Sequence, residues 1–511
     1  MKTRREKRFA FWRARGICQV SSALTLDARS RGRILLGSLD AQLRRCLYTR
    51  QTCIISLHLA ARPPGIRMKL PLVVPLMAGF IACTSNNNDP NNDAGPPDGG
   101  PPQASGTITT LDSSSMDPNL YLSMAIGPND RVGVAYFKGV DSTNFEIRYL
   151  EWQNGVVSGS QKLPPSGSTT GNAMQRVIGL SLAFQSNGQP AIAYLGGKDD
   201  GTGSTFWYQS DTAVSFRQTD GTTWVEDIAA RMSADGPTLC GNPVSDMSAG
   251  FVVGLFPALK FIGSTAYVAY RDVHTGQFPQ QDWNGSDLKL ATGNIGSWSR
   301  QPIICGGNDK KAYGGHSQMI IGAQGALAMV SDEVFDSPDG PGANVLFSRR
   351  NGDGSWTSTP WNAPVLQISN TQKGPSLAYD STLGYAIAVV ERATNTLLFT
   401  SSSNGSIWTQ QDPVFQSGTG GWYPSIAVDP SSHEPNIAFY VCSQRAGIAE
   451  DSCPPAERQL RVAYRVLGNW RQSTIDRQGG VLPKLGYLST GKRVIAYRDP
   501  GSGAVKLYVD L

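Results

Sequence analysis

From Leu120 to the C-terminus, short runs of alternating apolar and polar residues are separated by turns rich in Gly, Asn and Asp. Alternation at period two predicts half-buried β-strands, and such turns between them predict hairpins. The pattern recurs as a phrase: an apolar strand, a tight polar turn, a second strand ending near Ala-Tyr, then a third strand. Its clearest copy is SLAFQSNGQPAIAY from Ser181 to Tyr194, echoed by PSIAVDPSSHEPNIAFY from Pro424 and PKLGYLSTGKRVIAY from Pro483. Aligned at the ends of the second strands, the copies fall on Tyr136, Tyr194, Tyr270, Met329, Val389, Phe439 and Tyr497, with steps of 58, 76, 59, 60, 50 and 58 residues. Fourth strands begin after turns running from Gly into Trp224, Trp298, Trp356, Trp408 and Trp470. Four strands repeated about seven times predict an all-β, seven-bladed β-propeller of four-stranded antiparallel blades.

The last repeat ends at Leu511 after its third strand, while Thr107–Leu111 (TITTL) stands alone before the first repeat. An open ring leaves an exposed edge that invites aggregation. The N-terminal strand is therefore expected to complete the last blade, and the propeller to span 107–511.

The Gly-to-Trp turns resemble degenerate Asp-boxes, the hairpin motif of sialidase-like (BNR-repeat) propellers; Asp220-Gly221-Thr222-Thr223-Trp224 is the nearest match. In that family the box is structural and lies away from the active centre, so the resemblance implies fold rather than activity. The expected role of these Trp residues is packing between blades.

In a propeller, second-to-third loops and blade linkers share one face, and here nearly all length variation falls on that face. Recognition accumulates on such loops. At the centre of this face, after the second strands, stand Lys138, Arg271, Asp272, Asp332, Glu333, Glu391, Arg392, Arg498 and Asp499. Trp207, Tyr208, Trp283 and Trp422 are candidate stacking platforms in the same loops. Mixed charge around an axial funnel suits a polar ligand, a sugar or a peptide.

An exo-sialidase needs three converging Arg, a Tyr with a Glu partner and an Asp acid. Arg271, Arg392, Arg498 and Glu391 are available, but the Arg-Ile-Pro motif is absent and no Tyr–Glu pair stands out. A paired-carboxylate glycosidase would draw on Asp272 with Asp332 or Glu391. His274, near Asp272, His316 and His433 lack metal-ligand spacing, so neither metal nor cofactor is expected. No Gly-x-Ser-x-Gly elbow or phosphate-cradling loop occurs.

Of 511 residues, 56 are Gly and 32 Pro, and only 17% are charged, as suits a turn-rich β protein. Residues 1–67 carry 15 Lys and Arg against three acids, a net of +12 within the total of +5, which leaves −7 for the rest. A mildly acidic folded part gives no basic face for nucleic acid. Residues 1–67 show no domain pattern, and translation is expected to begin at Met68.

From Met68 a single Lys precedes an apolar run, Leu70 to Ile81, of signal-peptide length and too short to span a bilayer. It ends in Phe80-Ile81-Ala82-Cys83, which resembles the lipobox of bacterial lipoproteins. That resemblance implies a signal peptide at 68–82, acylation of Cys83 and, with Thr84 following, an outer-membrane address. Residues 83–106 are Asn-, Asp-, Pro- and Gly-rich and read as a flexible tether. Four cysteines remain for an oxidising compartment and allow three pairings. Cys442 and Cys453 bracket one loop, so Cys442–Cys453 and Cys240–Cys305 are expected.

Together these readings predict a monomeric envelope lipoprotein whose propeller binds glycans or proteins without catalysis. A sialidase-like glycoside hydrolase and a scaffold subunit of an envelope complex are the alternatives.

Overall fold

Seven innermost strands stand side by side in a closed circle, each touching the one before and the one after. They are Leu122–Ile126, Leu180–Phe184, Phe251–Ile262, Lys311–Ile321, Ser376–Asp380, Gly420–Val428 and Val481–Tyr487. Each begins an antiparallel sheet that runs outward in chain order, and these sheets are blades 1 to 7. The molecule is thus a seven-bladed β-propeller. The computed structural model describes residues 100–511, apart from 114–120, 140–144, 164–178, 197–208, 231–239, 241–250, 273–285, 306–310, 338–339, 362–373 and 392–393, and the backbone of 18–20 and 53–55.

The chain divides into two units, Met1–Asp89 and Pro90–Leu511. In the first, Cys18–Val20 pairs in parallel with Cys53–Ile55. Among the described residues no helix is long and apolar enough to cross a membrane.

Blade 7 has three strands of its own, Val481–Tyr487, Arg493–Arg498 and Val505–Asp510. Its outer strand is Gly106–Asp112, antiparallel to Val505–Asp510 with Gly106 opposite Asp510 and Thr110 opposite Lys506. The preceding residues continue along blade 6, where Ala104 N donates to Thr474 O and Thr474 N to Pro102 O, both at 2.8 Å. The edge that an open seventh blade would expose is therefore covered. Blade 1 departs from the regular pattern: its outer edge is broken into Val156–Val157 and Gln161–Lys162, both paired with Phe145–Gln153.

Second strands carry the bulk of the core, because both their faces meet a neighbouring blade. The Ala-Tyr phrase lies here, with Tyr136, Tyr270 and Tyr497 at 0% exposure. The burial of each large apolar side chain stabilises the fold by about 1.5–3 kcal/mol. The Trp residues after the Gly turns reach back onto the preceding blade. Trp224 meets Tyr149 edge-on at 5.5 Å and donates to Gln161 Oε1 at 3.0 Å. Trp298 donates to Asp227 Oδ2 at 2.8 Å, and Trp470 to Asp412 Oδ2 at 2.9 Å. In the turn before Trp224, the Asp220 carboxylate accepts from the Thr222 and Thr223 backbone N–H groups, which is how a short polar side chain closes a tight hairpin.

Among the described residues two disulfides form, Cys240–Cys305 and Cys442–Cys453, with Cα atoms 5.5 and 5.6 Å apart.

Candidate functional site: the axial channel

The first strands share one local sequence pattern, visible in Leu-Ser-Leu from Leu180, Pro-Ser-Leu from Pro375 and Pro-Ser-Ile from Pro424. Its central polar residue reaches across to the next blade. Ser123 Oγ accepts from Leu182 N at 3.0 Å, Ser181 Oγ from Leu259 N at 2.9 Å and Gln318 Oε1 from Leu377 N at 2.8 Å. Ser376 Oγ accepts from Ile426 N at 3.0 Å and Ser425 Oγ from Leu485 N at 2.9 Å. These bonds form a girdle around the axis, broken twice. Blade 3 has Ala258 at the equivalent position and blade 7 has Lys484, neither of which offers an acceptor.

Just before this position, at the loop-bearing end of the channel, the backbone turns into the left-handed region at Phe256, His316, Tyr423 and Leu482, with φ of 51, 49, 56 and 56°. Each lies at a register shift in its strand. Such conformations cost of order 1–3 kcal/mol each and persist where surrounding contacts over-determine them. Around His316 those contacts are dense. Its Nδ1 lies 2.6 Å from Asp332 Oδ2, its ring 4.6 Å from that of Phe256, and a Cβ on Gly374 would fall 2.1 Å from its own Cβ.

Inside the girdle is a cavity of ≈170 Å³ lined by the first strands of all seven blades. Among the described residues no carboxylate lines it, whereas Lys260 and Lys484 do. Burial pushes the Lys484 ammonium down to about 8 and lowers Lys260 in the same direction. The Tyr121 hydroxyl, also on the wall, is buried without a hydrogen-bond partner. Burial, then the nearby Tyr423 and Asp332, push its pKa well above the usual phenol range.

Most charges expected to ring the funnel are held by their own neighbours. Lys138 Nζ reaches Asp112 Oδ2 at 3.3 Å. Asp272, fully buried, receives Lys289 Nζ at 2.6 Å. Arg271 is buried with Nε donating to Ser286 Oγ at 3.1 Å, and burial, opposed by Asp332, lowers it to about 9. Glu333 accepts from Asn344 Nδ2 at 3.0 Å and Glu391 from Thr394 Oγ1 at 2.7 Å. Arg498 is fully buried and donates to the carbonyls of Gly503 and Phe137, tying blade 7 to blade 1. Asp499 receives Lys506 Nζ at 2.7 Å, which with two backbone N–H bonds holds it below the ordinary carboxylate range despite burial.

Trp422 is 1% exposed, donates to Asn395 Oδ1 at 3.2 Å and packs on Tyr440, so it fills the core. Arg392, Trp207, Tyr208 and Trp283, like His274 and Cys83, lie outside the described residues. His433 bonds Asp380 in a turn. The metal-like cluster found among the described residues is Cys240, Cys305 and Asp287, but the two sulfurs are joined as a disulfide and Asp287 faces Lys289 at 3.8 Å. Oxidised sulfur is not the thiolate ligand a metal requires.

Sequence reasoning passed over Lys260 and Lys484, which lie inside first strands, and Tyr121, which immediately precedes one. The available signal was the repeat itself: Pro483-Lys484-Leu485 replaces the Pro-Ser-Leu of blade 5, and Pro257-Ala258-Leu259-Lys260 departs twice.

Comparison with known proteins finds no matching family model and no matching curated protein. Solved structures do resemble it. The α-L-arabinanase of Penicillium chrysogenum, in complex with arabinobiose, is 14% identical, covers 79% of this chain and 97% of its own, and gives a TM-score of 0.42. A Hadza microbial sialidase, Hz136, is 16% identical over 72% of this chain and 74% of its own, at 0.41. The NanB sialidase of Streptococcus pneumoniae is 11% identical over 80% and 71%, at 0.40. Likeness at this level assigns no activity.

Proposed function

We propose that the protein is an exported, lipid-anchored envelope protein whose propeller binds a glycan-type ligand at the loop-bearing mouth of the axial channel without cleaving it. The observation that carries the non-catalytic reading is the commitment of the axial carboxylates: Asp272 to Lys289, Asp332 to His316 and Asp499 to Lys506. Glycoside cleavage by a carboxyl pair needs the two facing each other across the bond, one of them kept protonated by a raised pKa, and the sialidase route needs a Tyr with a carboxylate partner beside converging Arg. Among the described residues the carboxyl raised by burial is Glu226, which lies in an outer strand under the Tyr194 hydroxyl, away from the channel wall. A wall of hydroxyls and ammoniums, with no acid among the described residues, suits polar recognition by hydrogen bonding.

The anchor rests on Phe80-Ile81-Ala82-Cys83 and the polar tether after it. It would hold the propeller at the outer membrane, as a monomer whose loop-bearing face meets its ligand.

The test is a glycan array with the purified full chain, run beside a panel of chromogenic glycosides. Binding without turnover is expected. Turnover abolished by Asp332→Asn would overturn the non-catalytic reading, and absence of any glycan bound would overturn the ligand class. Release of the protein from membranes by Cys83→Ala tests the anchor.

A further inference from the structure

Four girdle serines, Ser123, Ser181, Ser376 and Ser425, accept a backbone N–H through Oγ. A hydroxyl that accepts retains its own O–H as a donor. Gln318, whose Oε1 is spent in the same way, retains its amide N–H groups. Toward the axis the wall therefore presents donors. Lys260 and Lys484 add two ammoniums, and among the described residues no aspartate or glutamate lines the wall, Asp332 being held behind it by His316. The lysines come from blades 3 and 7, three blades apart by the shorter way round the circle, so they stand on opposite sides of the axis. Lys484 occupies the girdle level and Lys260 lies about 7 Å further along, two strand residues on.

Both lysines are half-buried, and drawing an ammonium even partly out of water without a counter-charge is costly, so chains normally neutralise or replace it. Either position would be satisfied by Ser or Ala, as the other blades show. Two cations, a set of inward donors, an orphaned Tyr121 hydroxyl and, among the described residues, no acid on the wall itself define a hole complementary to negative charge. The cavity's ≈170 Å³ exceeds several-fold the roughly 10–15 Å³ that one water requires, so a polyatomic anion fits.

We propose that the axial channel is a binding site for a small oxyanion, a phosphate or the carboxylate of a larger molecule, held between Lys484 and Lys260 and by the inward donors of the girdle. The site is independent of the glycan reading, since it needs neither the loops nor a sugar.

The test is calorimetric titration of the purified full chain at pH 7 and fixed ionic strength with sodium phosphate, sodium sulfate and sodium glucuronate, against sodium chloride. Saturable binding near one per chain is expected for at least one oxyanion. Phosphate or sulfate alone indicates a free inorganic anion; glucuronate indicates a carboxylate ligand reaching in from the mouth. Lys484→Ser, which installs the residue found in blades 1, 2, 5 and 6, keeps the fold and weakens binding at least tenfold. Lys260→Met does the same from the opposite wall. No saturable binding beyond chloride, or binding unchanged in both variants, overturns the proposal.

Discussion

Tyr136 in blade 1 donates its hydroxyl to Asp112 Oδ2 at 2.6 Å, and Tyr497 in blade 7 donates in the same way to Asp476 Oδ2 at 2.8 Å. Asp476 ends the outer strand of blade 6, and Asp112 ends the strand that the N-terminal segment lends to blade 7. The lent strand thus reproduces the inter-blade bond of an ordinary outer strand. Asp112→Ala removes the acceptor of a fully buried phenol and the partner of Lys138, and is expected to cost about 1–3 kcal/mol in urea unfolding. Tyr136→Phe removes donor and demand together and is expected to cost about 0.5–1.5 kcal/mol. A chain starting at Ser113 exposes Val505–Asp510 as an edge and is expected to associate on size-exclusion chromatography.

Asp272→Asn leaves Lys289, at 0% exposure, facing a neutral amide, with Asp287 at 3.8 Å as its remaining carboxylate. Removing one partner of a buried pair costs about 3–5 kcal/mol, so this variant is expected to lower the unfolding midpoint sharply. Any loss of ligand binding in it follows from unfolding, and thermal denaturation beside the binding assay separates the two effects.

On the alkaline side Lys484 makes a contribution to stability that rises with pH. Lys484 titrates at about 8 when folded and near 10.5 when unfolded, so between those values the unfolded chain binds more protons. The contribution of Lys484 to the unfolding free energy therefore increases from pH 8 to pH 10.5. Buried phenols such as Tyr121 and Tyr497, whose raised pKa values act with the opposite sign, oppose it as pH nears 10. Lys260 acts in the same direction as Lys484. The other titratable groups on the channel wall are His316, Tyr121 and Tyr423. Lys484→Ser is expected to make the slope measured by urea unfolding between pH 8 and pH 10 less positive than in the parent chain, and an unchanged slope removes Lys484 as a contributor.

Ala258→Ser would supply the acceptor that blade 3 lacks, for the backbone N–H of Met319. One added inter-blade hydrogen bond is expected to stabilise by about 0.5–1.5 kcal/mol, read as a raised melting temperature. A fall instead would show that the position cannot take the extra oxygen.

The repeat, the blade number and the closing strand were legible because each is written in local alternation and turn chemistry: Thr107–Leu111 reads as a strand without a partner, and its partner is missing at Leu511. The disulfides followed from cysteine count and loop position. The partners of the funnel charges were not legible. Lys289 meets Asp272 because the third strand places it beside Tyr270 in an antiparallel ladder, a relation across strands rather than along the chain. His316 meets Asp332 between neighbouring strands of blade 4, and Arg498 meets carbonyls more than 360 residues away. Lys484 was hidden for the opposite reason, since within its own strand nothing marks it and only comparison with the same slot in other blades does.

The two interruptions of the girdle divide the innermost layer into unequal crescents, blades 1 to 3 and blades 4 to 7. Within each crescent, directional bonds lock neighbour to neighbour; at the two seams the innermost strands meet through apolar groups, Ala258 and Met319 sharing one cluster and Gly486 lying against the side chains of Ile126 and Met124. Non-directional contact tolerates slip that a hydrogen bond resists. The bore of the propeller is thus set by how two rigid arcs abut, and Lys260 and Lys484 ride on the terminal blades of those arcs.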